Sequence, residues 1–179
     1  MNSFRNEEES NFIVMIYEHV KKLFPESLKK MGVISPYSQQ VYDIKKKIQA
    51  NDSSLQCNLE VNTVDGFQGR EKDVIVFSTV RSRKKDETAR EKKTIGFLKD
   101  KRRMNVSLSR ARLSLIVVGN AKRLKISKLW RSLIEFAMKN KSCFRVEEAN
   151  EMFFKKLDEN PELFLIKKLE DLKKKISKI

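Results

Sequence analysis

The first fifty residues alternate apolar and polar positions in a pattern that predicts a helix, a strand and a second helix. Apolar residues at three- and four-residue spacing over residues 13–24 predict an amphipathic helix, and Asn6-Glu7-Glu8-Glu9 ahead of it resembles a capping box. The short apolar run 31–34 is typical of a buried strand. Ser35-Pro36 should end that strand and begin the second helix, with Ser35 as its N-cap and Pro36 in its first turn.

The same pattern continues through the middle of the chain. Residues 59–64 and 73–78 are typical of strands, and the second is apolar enough to be covered on both faces. Residues 81–94 are almost wholly polar, which predicts a mobile loop. A helix marked by Met104, Leu108 and Ala111 should lead into a strand at 113–118, and a further amphipathic helix is expected over 129–137.

This succession of elements predicts an α/β fold with a mainly parallel sheet. Ligands of such sheets bind at the carboxyl ends of the strands. Ser35-Pro36, the turn 65–71 and Gly119-Asn120 all follow predicted strands. We therefore expect these three turns to share one edge of the sheet.

The composition of the chain changes near residue 147. Residues 151–179 are rich in Lys, Glu, Leu and Phe, and one face of a last helix would carry Leu165, Leu169, Leu172 and Ile176. Its Lys-rich opposite face is expected to be solvated. The sequence therefore predicts one domain over residues 1–146 and a Lys-rich helical extension over residues 147–179.

The net charge of the chain indicates what kind of partner the predicted fold binds. Lys and Arg number 39 against 24 Asp and Glu, a net charge of +15. Residues 81–112 contain thirteen basic and four acidic residues, so this window supplies +9 of the excess. Concentrated basic charge favours a nucleic-acid partner. A generally Lys-rich surface would explain the tail, but it explains the arginines less well.

The few cysteine and histidine residues argue against a metal site. Cys57, Cys143 and His19 cannot form a four-ligand zinc site without a carboxylate, and the cysteines are expected to be reduced thiols of an intracellular protein. No apolar run approaches the roughly 20 residues needed to cross a bilayer, and no secretory leader opens the sequence. We therefore expect no metal and no membrane partner.

Residues 63–112 hold most of the residues that could do chemistry. The turn 65–71 lies between a short strand and a long one, and it contains Gly66 and Gly69. Arg102, Arg103, Arg110 and Arg112 are expected on one helix that runs into the strand 113–118. Glycines that permit a tight turn and a solvated arginine face would each be ordinary alone. Together they indicate the binding of a polyanion.

Four segments in this order resemble a known family. They are ISPYSQQ, VNTVDGFQGREKDVIVFSTVRS, IGFLKDKRRMNVSLSRAR and LIVVGN. They are similar to the second RecA-like domain of superfamily 1 RNA and DNA helicases, in the branch shared by senataxin and the nonsense-mediated-decay helicase, with the senataxin side the better match. The resemblance covers about residues 3–144. It implies a RecA-like three-layer domain.

The resemblance also implies roles for individual residues around the nucleotide. Arg110 matches the arginine finger, which places a permanent, forked charge on the γ-phosphate across the domain cleft. Glu71 matches the acidic residue on the nucleotide ribose, and Gly69 lets the backbone approach there. Arg102 and Arg103 are expected to brace their helix or the domain interface.

Other matching positions are implied on the nucleic-acid side. Ser35, Pro36 and Thr63 match positions near the nucleic-acid backbone, where a small hydroxyl contacts phosphate without reading sequence. Asp65 and Gln68 are expected to couple this side to the nucleotide. The implied partner is single-stranded RNA or DNA, and the implied location is the nucleus, with the cytoplasm as the alternative.

A complete helicase site needs a second half. ATP and Mg²⁺ are cradled by a phosphate loop that ends in Gly-Lys-Thr or Gly-Lys-Ser, and no Gly-Lys pair occurs in this sequence. Both are therefore expected to be held mainly by a first RecA-like domain, the implied partner of this one. Asp86-Glu87-Thr88-Ala89 resembles an acidic magnesium motif, but it follows a basic run instead of an apolar strand and is interpreted as loop. A non-catalytic basic module that binds single-stranded nucleic acid or a partner protein stays open as an alternative.

Overall fold

A computed structural model describes residues 4–52, 59–80 and 96–144, and in these ranges parallel strands alternate with helices. The strands are β1 (Met31–Ser35), β2 (Glu60–Thr63), β3 (Lys72–Ser78) and β4 (Ala111–Val118). The helices are α1 (Glu7–Leu23), α2 (Ser38–Asn51), α3 (Lys101–Ser109), α4 (Ala121–Leu124) and α5 (Lys128–Lys139). Short 3-10 turns occupy Pro25–Lys30, Asp65–Phe67 and Gly96–Lys99.

The four strands form one sheet in the order β2-β1-β3-β4, and every pair is parallel. Successive side chains of a strand point to opposite faces. In β3, Val76 belongs to one buried cluster while Ile75 and Phe77 belong to the other. Both faces of the sheet are therefore covered, which explains why β3 reads as a continuous apolar run.

The two apolar clusters define the two outer layers. On one face, α1 and α2 pack through residues such as Ile13 and Ile44. On the other face, α3, α4 and α5 pack through residues such as Met104, Leu124 and Trp130. The Trp130 ring stacks on Phe77 with centroids 5.9 Å apart. The predicted RecA-like three-layer fold with a parallel sheet is confirmed.

The second helix begins later than the sequence indicates. Ser35 is the last residue of β1 and not an N-cap, and Tyr37 caps α2, which starts at Ser38. Ser35 pairs with Thr63 of the neighbouring strand β2, so Ser35 is held in extended conformation. Pro36 also disfavours helical conformation in the residue before it. Ser35 still supports the turn, because its Oγ accepts a hydrogen bond from the Tyr37 N–H at 3.4 Å.

The four arginines do not share one helix. Arg102 and Arg103 lie in α3, but this helix ends at Ser109, with Arg110 as its C-cap, and Arg112 lies in β4. The cause is the sheet: β4 begins at Ala111, which pairs with Lys72 of β3. Sheet pairing therefore ends the helix earlier than the apolar spacing through Ala111 suggests.

Several expectations lie outside the described residues. They concern the loop 81–94 with its acidic motif, Cys57, and the helical extension 147–179. In the ranges that the structure does describe, no helix is long and apolar enough to cross a membrane. Cys143 is an exposed free thiol.

Candidate functional site

The carboxyl edge of the sheet carries the first set of candidate residues. Ser35 and Thr63 end β1 and β2 and are paired in register. Pro36 follows directly and is half-buried. We call Ser35, Pro36 and Thr63 the carboxyl-edge set.

The amino edge carries the second set. Lys72 and Ala111 begin β3 and β4 and are paired, and the Lys72 N–H donates to the Arg110 carbonyl at 3.0 Å. Glu71 and Arg110, which directly precede these strands, are thus neighbours at the opposite edge from Ser35. We call Gly69, Glu71 and Arg110 the amino-edge set.

The expectation that the turns share one edge is therefore wrong for residues 65–71. Because β3 is parallel to β2, the chain must return from the carboxyl edge to the amino edge before β3 begins. It does so over residues 64–71, with Phe67 completely buried on the way. This segment starts at one candidate set and ends at the other.

Arg110 is held in place by its own surroundings. Its Nε donates to the Val106 carbonyl at 3.0 Å, its Nη1 to the Arg70 carbonyl at 3.2 Å, and its Nη2 to the Ser109 hydroxyl at 3.1 Å. A guanidinium has five N–H donors, so two have no partner among the described residues. A cation here also complements the negative end of the α3 dipole. The side chain is therefore positioned but still able to bind an anion.

Glu71 and Gly69 flank Arg70 in the sequence, and the Arg70 carbonyl accepts a hydrogen bond from Arg110 Nη1. The Glu71 carboxylate is exposed and has no hydrogen-bond or ion-pair partner among the described residues. Gly69 has a φ of +76°, and a Cβ placed there would meet no atom within 4 Å. The positive φ is what requires glycine, and the open space leaves the backbone accessible.

Thr63 and Ser35 differ in what they expose. Thr63 is half-buried, and its Oγ1 accepts a hydrogen bond from the Gly66 N–H at 3.1 Å. The Thr63 hydroxyl hydrogen remains available, since an accepting hydroxyl can still donate. Ser35 is completely buried. Its side chain can therefore act on a ligand only by positioning Pro36 and the start of α2.

One ion pair links the segment between the two sets to α3. Asp65 Oδ2 lies 3.6 Å from Arg103 Nη2. Arg103 lies in α3, the helix whose C-cap is Arg110. Both side chains are substantially exposed, so the pair itself contributes little stability. Its consequence is geometric: the turn that follows Thr63 and the helix that carries Arg110 are in direct contact.

Three buried polar residues were not singled out as site residues by the sequence. Glu9, Gln40 and Ser78 form a hydrogen-bonded cluster at the carboxyl end of β3. Glu9 was interpreted as part of a capping box, and only the Asn6 half of that box forms, with Asn6 Oδ1 accepting from the Glu9 N–H. The Asn6 N–H instead donates to Gln40. Gln40 lies within the segment ISPYSQQ, and membership of that segment was the only sequence feature that could have drawn attention to this cluster.

The amino-edge set suits part of a nucleotide. A carboxylate can accept hydrogen bonds from sugar hydroxyls, and a guanidinium matches phosphate oxygens. No group of three His, Cys, Asp or Glu within the described ranges could hold a metal ion. The set therefore fits ribose and one phosphate, and it offers no cradle for a phosphate chain with its cation.

Comparison with known proteins identifies the family of this chain. A family described as "AAA domain" matches residues 1–122. The chain is 41% identical to the probable helicase MAGATAMA 3 of Arabidopsis thaliana over 83% of its own length. It is 39% identical to the helicase sen1 of Schizosaccharomyces pombe over 76% of its length. It is also 41% identical to the ATP-dependent helicase NAM7 of Saccharomyces cerevisiae over 69% of its length.

These relatives are much longer than the chain. The matches span 18% of the Arabidopsis protein, 8% of the Schizosaccharomyces protein and 12% of the Saccharomyces protein. The similarity thus covers most of this chain but less than a fifth of each relative.

Proposed function

Because this chain belongs to the superfamily 1 helicases, in their senataxin-like branch, we propose that it is the second, carboxyl-terminal motor domain of an ATP-dependent helicase. The observation that carries the proposal is the amino-edge set: Arg110 is positioned by a hydrogen bond to the Arg70 carbonyl, the next residue, Glu71, has an exposed carboxylate, and the set contains no phosphate cradle. Such a set can complete a nucleotide site but cannot form one alone. A first RecA-like domain would supply the other half.

Arg110 is the proposed arginine finger. When bound, ATP with Mg²⁺ would supply the phosphoryl group that is transferred to water. Arg110 would place its two remaining N–H donors on the γ-phosphate oxygens, where negative charge develops. Its three internal hydrogen bonds fix the approach of the guanidinium, which reduces the ordering needed at the moment of reaction.

Glu71 and Gly69 are proposed to bind the ribose. The exposed carboxylate of Glu71 would accept hydrogen bonds from the sugar hydroxyls, and these bonds would be equal in the ground state and in the transition state. The open space at Gly69 would let the sugar approach the backbone. These contacts therefore orient the nucleotide and leave the chemical step to Arg110.

The carboxyl-edge set is the proposed half of a track for single-stranded RNA or DNA. Thr63 would donate its hydroxyl to a phosphate, Pro36 would form the adjoining surface, and the buried Ser35 would hold the turn. Contacts of this kind bind the backbone without reading its sequence. The helicase would act on RNA or RNA:DNA hybrids, and we propose the nucleus as its location.

The proposal is tested by ATP hydrolysis in the presence and absence of single-stranded RNA. The chain alone should hydrolyse no ATP, and the chain joined to the first RecA-like domain should hydrolyse it in an RNA-stimulated manner. Appreciable turnover by the chain alone would refute the proposal. A joined protein that binds RNA in a salt-sensitive manner but never hydrolyses ATP would favour the non-catalytic module instead.

A further inference from the structure

A buried carboxylate lies at the carboxyl end of β3, outside both candidate sets. Glu9, in the first turn of α1, is only 6% exposed. Its Oε2 accepts hydrogen bonds from the Ser78 hydroxyl at 2.7 Å and from the Val80 N–H at 2.9 Å. Its Oε1 accepts from Asn6 Nδ2 at 3.1 Å. Three donors thus converge on one carboxylate, which is the arrangement that an ionised carboxyl group requires.

The same cluster reaches the start of α2. Gln40, which is completely buried, donates from Nε2 to Ser78 Oγ and to the Asn6 carbonyl, both at 3.1 Å. Its Oε1 accepts from the Asn6 N–H at 2.7 Å. Gln40 lies in the first turn of α2, just after Ser35 and Pro36. Glu9 is therefore connected through hydrogen bonds to the first turn of α2, which follows Ser35 and Pro36, and Ser35 pairs with Thr63 of β2.

Val80 shows what the carboxylate holds. Its φ is +67°, a left-handed conformation that a β-branched residue adopts only at an energetic cost. The Glu9 carboxylate binds the Val80 N–H, and Asn6 Nδ2 lies 3.5 Å from the Val80 carbonyl. The strained end of β3 is thus held from both sides by the first turn of α1.

We propose that Glu9 is a positioning residue for the nucleic-acid track: its carboxylate fixes the end of β3 and the start of α2 so that Pro36 and Thr63 face a single-stranded nucleic acid. This inference rests on the proposed function of the carboxyl-edge set. It assigns to Glu9 a role that depends on its charge, because a protonated carboxyl group would present a donor where Val80 or Asn6 also presents one.

The surroundings of Glu9 make its protonation accessible near neutral pH. Burial raises the pKa of Glu9 to about 7, against the opposing effect of the hydrogen bonds from Val80, Ser78 and Asn6. The groups that face the carboxylate from β3, and Gln40 from α2, are uncharged. Within the described residues, the charged groups on the neighbouring turns are Asp43 of α2, which pairs with Arg5 at 3.6 Å and Lys47 at 3.3 Å, and the exposed Glu7 and Glu8. The residues that follow Val80, beginning with Arg81, lie outside the described ranges.

The test measures the affinity of the whole 179-residue chain for a fluorescent oligouridine between pH 5.5 and 8.5 at constant ionic strength. Wild type should bind about fivefold more weakly at pH 6 than at pH 8, the factor that one hydrogen bond is worth. Ordinary electrostatic attraction to phosphate would strengthen on acidification, because the protein gains positive charge. The expected change therefore has the opposite sign.

Three variants separate positioning from other causes. Glu9→Gln, nearly isosteric, should bind about fivefold more weakly at pH 8 and show no loss on acidification. Ser78→Ala removes a hydrogen bond that lowers the pKa of Glu9. In this variant the loss of RNA affinity on acidification should therefore begin at a higher pH than in wild type. The matched control Glu8→Gln, at an exposed position on the same turn, should follow wild type, as should His19→Gln, which removes the one histidine.

The outcomes distinguish this inference from the proposed function. A Glu9→Gln profile that matches wild type, in a chain that still binds RNA, would overturn the role of Glu9 and leave the proposed function intact. Failure of every variant and of wild type to bind RNA at low salt would overturn the proposed track itself. Circular dichroism at each pH checks that the variants are folded.

Discussion

At the scale of single residues, the position of each polar group decides what it can do. Arg110 uses three of its five donors on its own chain, and the other two have no partner in the part of the chain that the structure describes. Glu71, two residues after a glycine with a φ of +76°, keeps its carboxylate exposed. Arg110 is thus suited to bind negative charge that develops during a reaction. Glu71 is suited to a ribose contact that is the same before and during the reaction.

The proposed roles of these two residues predict different kinetics. Glu71→Ala in the joined protein should raise KM for ATP and leave kcat nearly unchanged, because a ribose contact is made equally before and during the reaction. Steady-state ATPase assays at saturating RNA measure both constants. Glu135→Ala, at an exposed position on α5, is the matched control. A fall in kcat without a change in KM would contradict the ribose assignment.

Glu9 also makes the stability of the chain depend on pH. Burial raises its pKa from 4.5 to about 7, so the folded state binds more protons than the unfolded state between these values. Proton binding by Glu9 therefore stabilises the folded state; this contribution is complete below pH 4.5 and is lost as the pH rises through 7. Ionised Glu9 therefore costs on the order of 3 kcal/mol relative to the protonated form.

Urea unfolding of wild type and Glu9→Gln tests this sign. The free energy of unfolding of the variant, relative to wild type, should increase by about 3 kcal/mol between pH 4.5 and pH 8. Comparing the two proteins cancels the titration of groups that they share. A constant difference across this range would show that Glu9 has an ordinary pKa.

At the scale of elements, α3 depends on its N-cap and determines where Arg110 stands. Asp100 Oδ1 accepts hydrogen bonds from the Arg102 and Arg103 N–H groups at 2.9 and 3.2 Å. Asp100→Ala should lower the free energy of unfolding by about 1 kcal/mol, the usual cost of losing such a cap. Asp100→Asn, which can still cap the helix, should lose much less. Equal losses in urea unfolding would assign the effect to the charge of Asp100 instead of its cap.

The elements were predictable where one face of a helix or strand dominated the pattern. α1, β3 and α5 follow directly from apolar spacing, as does the succession of helices and strands that is typical of a parallel α/β fold. The element boundaries at Ser35 and Arg110 were not predictable from the sequence, because sheet pairing to Thr63 and Lys72 decides them. Such pairing joins residues far apart in the sequence, and local propensity does not register it.

The resemblance to the helicase family named candidate site residues, but it did not give their layout. Gly69, Glu71 and Arg110 were expected at one nucleotide site from that resemblance; the structure places them at one edge of the sheet, and their roles are the ones proposed above. Their separation from Ser35 and Thr63 was missed, because it depends on the direction of β3. Glu9 was missed because a local capping pattern explained it equally well, and only the fold brings Ser78 and Gln40 to it.

At the scale of the whole molecule, the described residues form a packed core, whereas the proposed nucleotide site requires a second domain. Both faces of its sheet are covered, which accounts for a stable RecA-like layer structure. The amino-edge set, by contrast, contains no phosphate cradle, and the three relatives named above are each several times longer than this chain. We therefore propose that Arg110 completes a catalytic site shared between two domains.

The most direct test is single-turnover ATP hydrolysis by the joined protein carrying Arg110→Ala, with Arg102→Ala, an exposed α3 arginine, as the matched control. Arg110→Ala should lower the rate of hydrolysis by ~10³ to 10⁵ and leave RNA affinity unchanged, and Arg110→Lys should not restore the rate, since it lacks the fork. Arg102→Ala should retain near wild-type hydrolysis. An Arg110→Ala protein that hydrolyses ATP normally, or that loses RNA binding instead, would contradict the account.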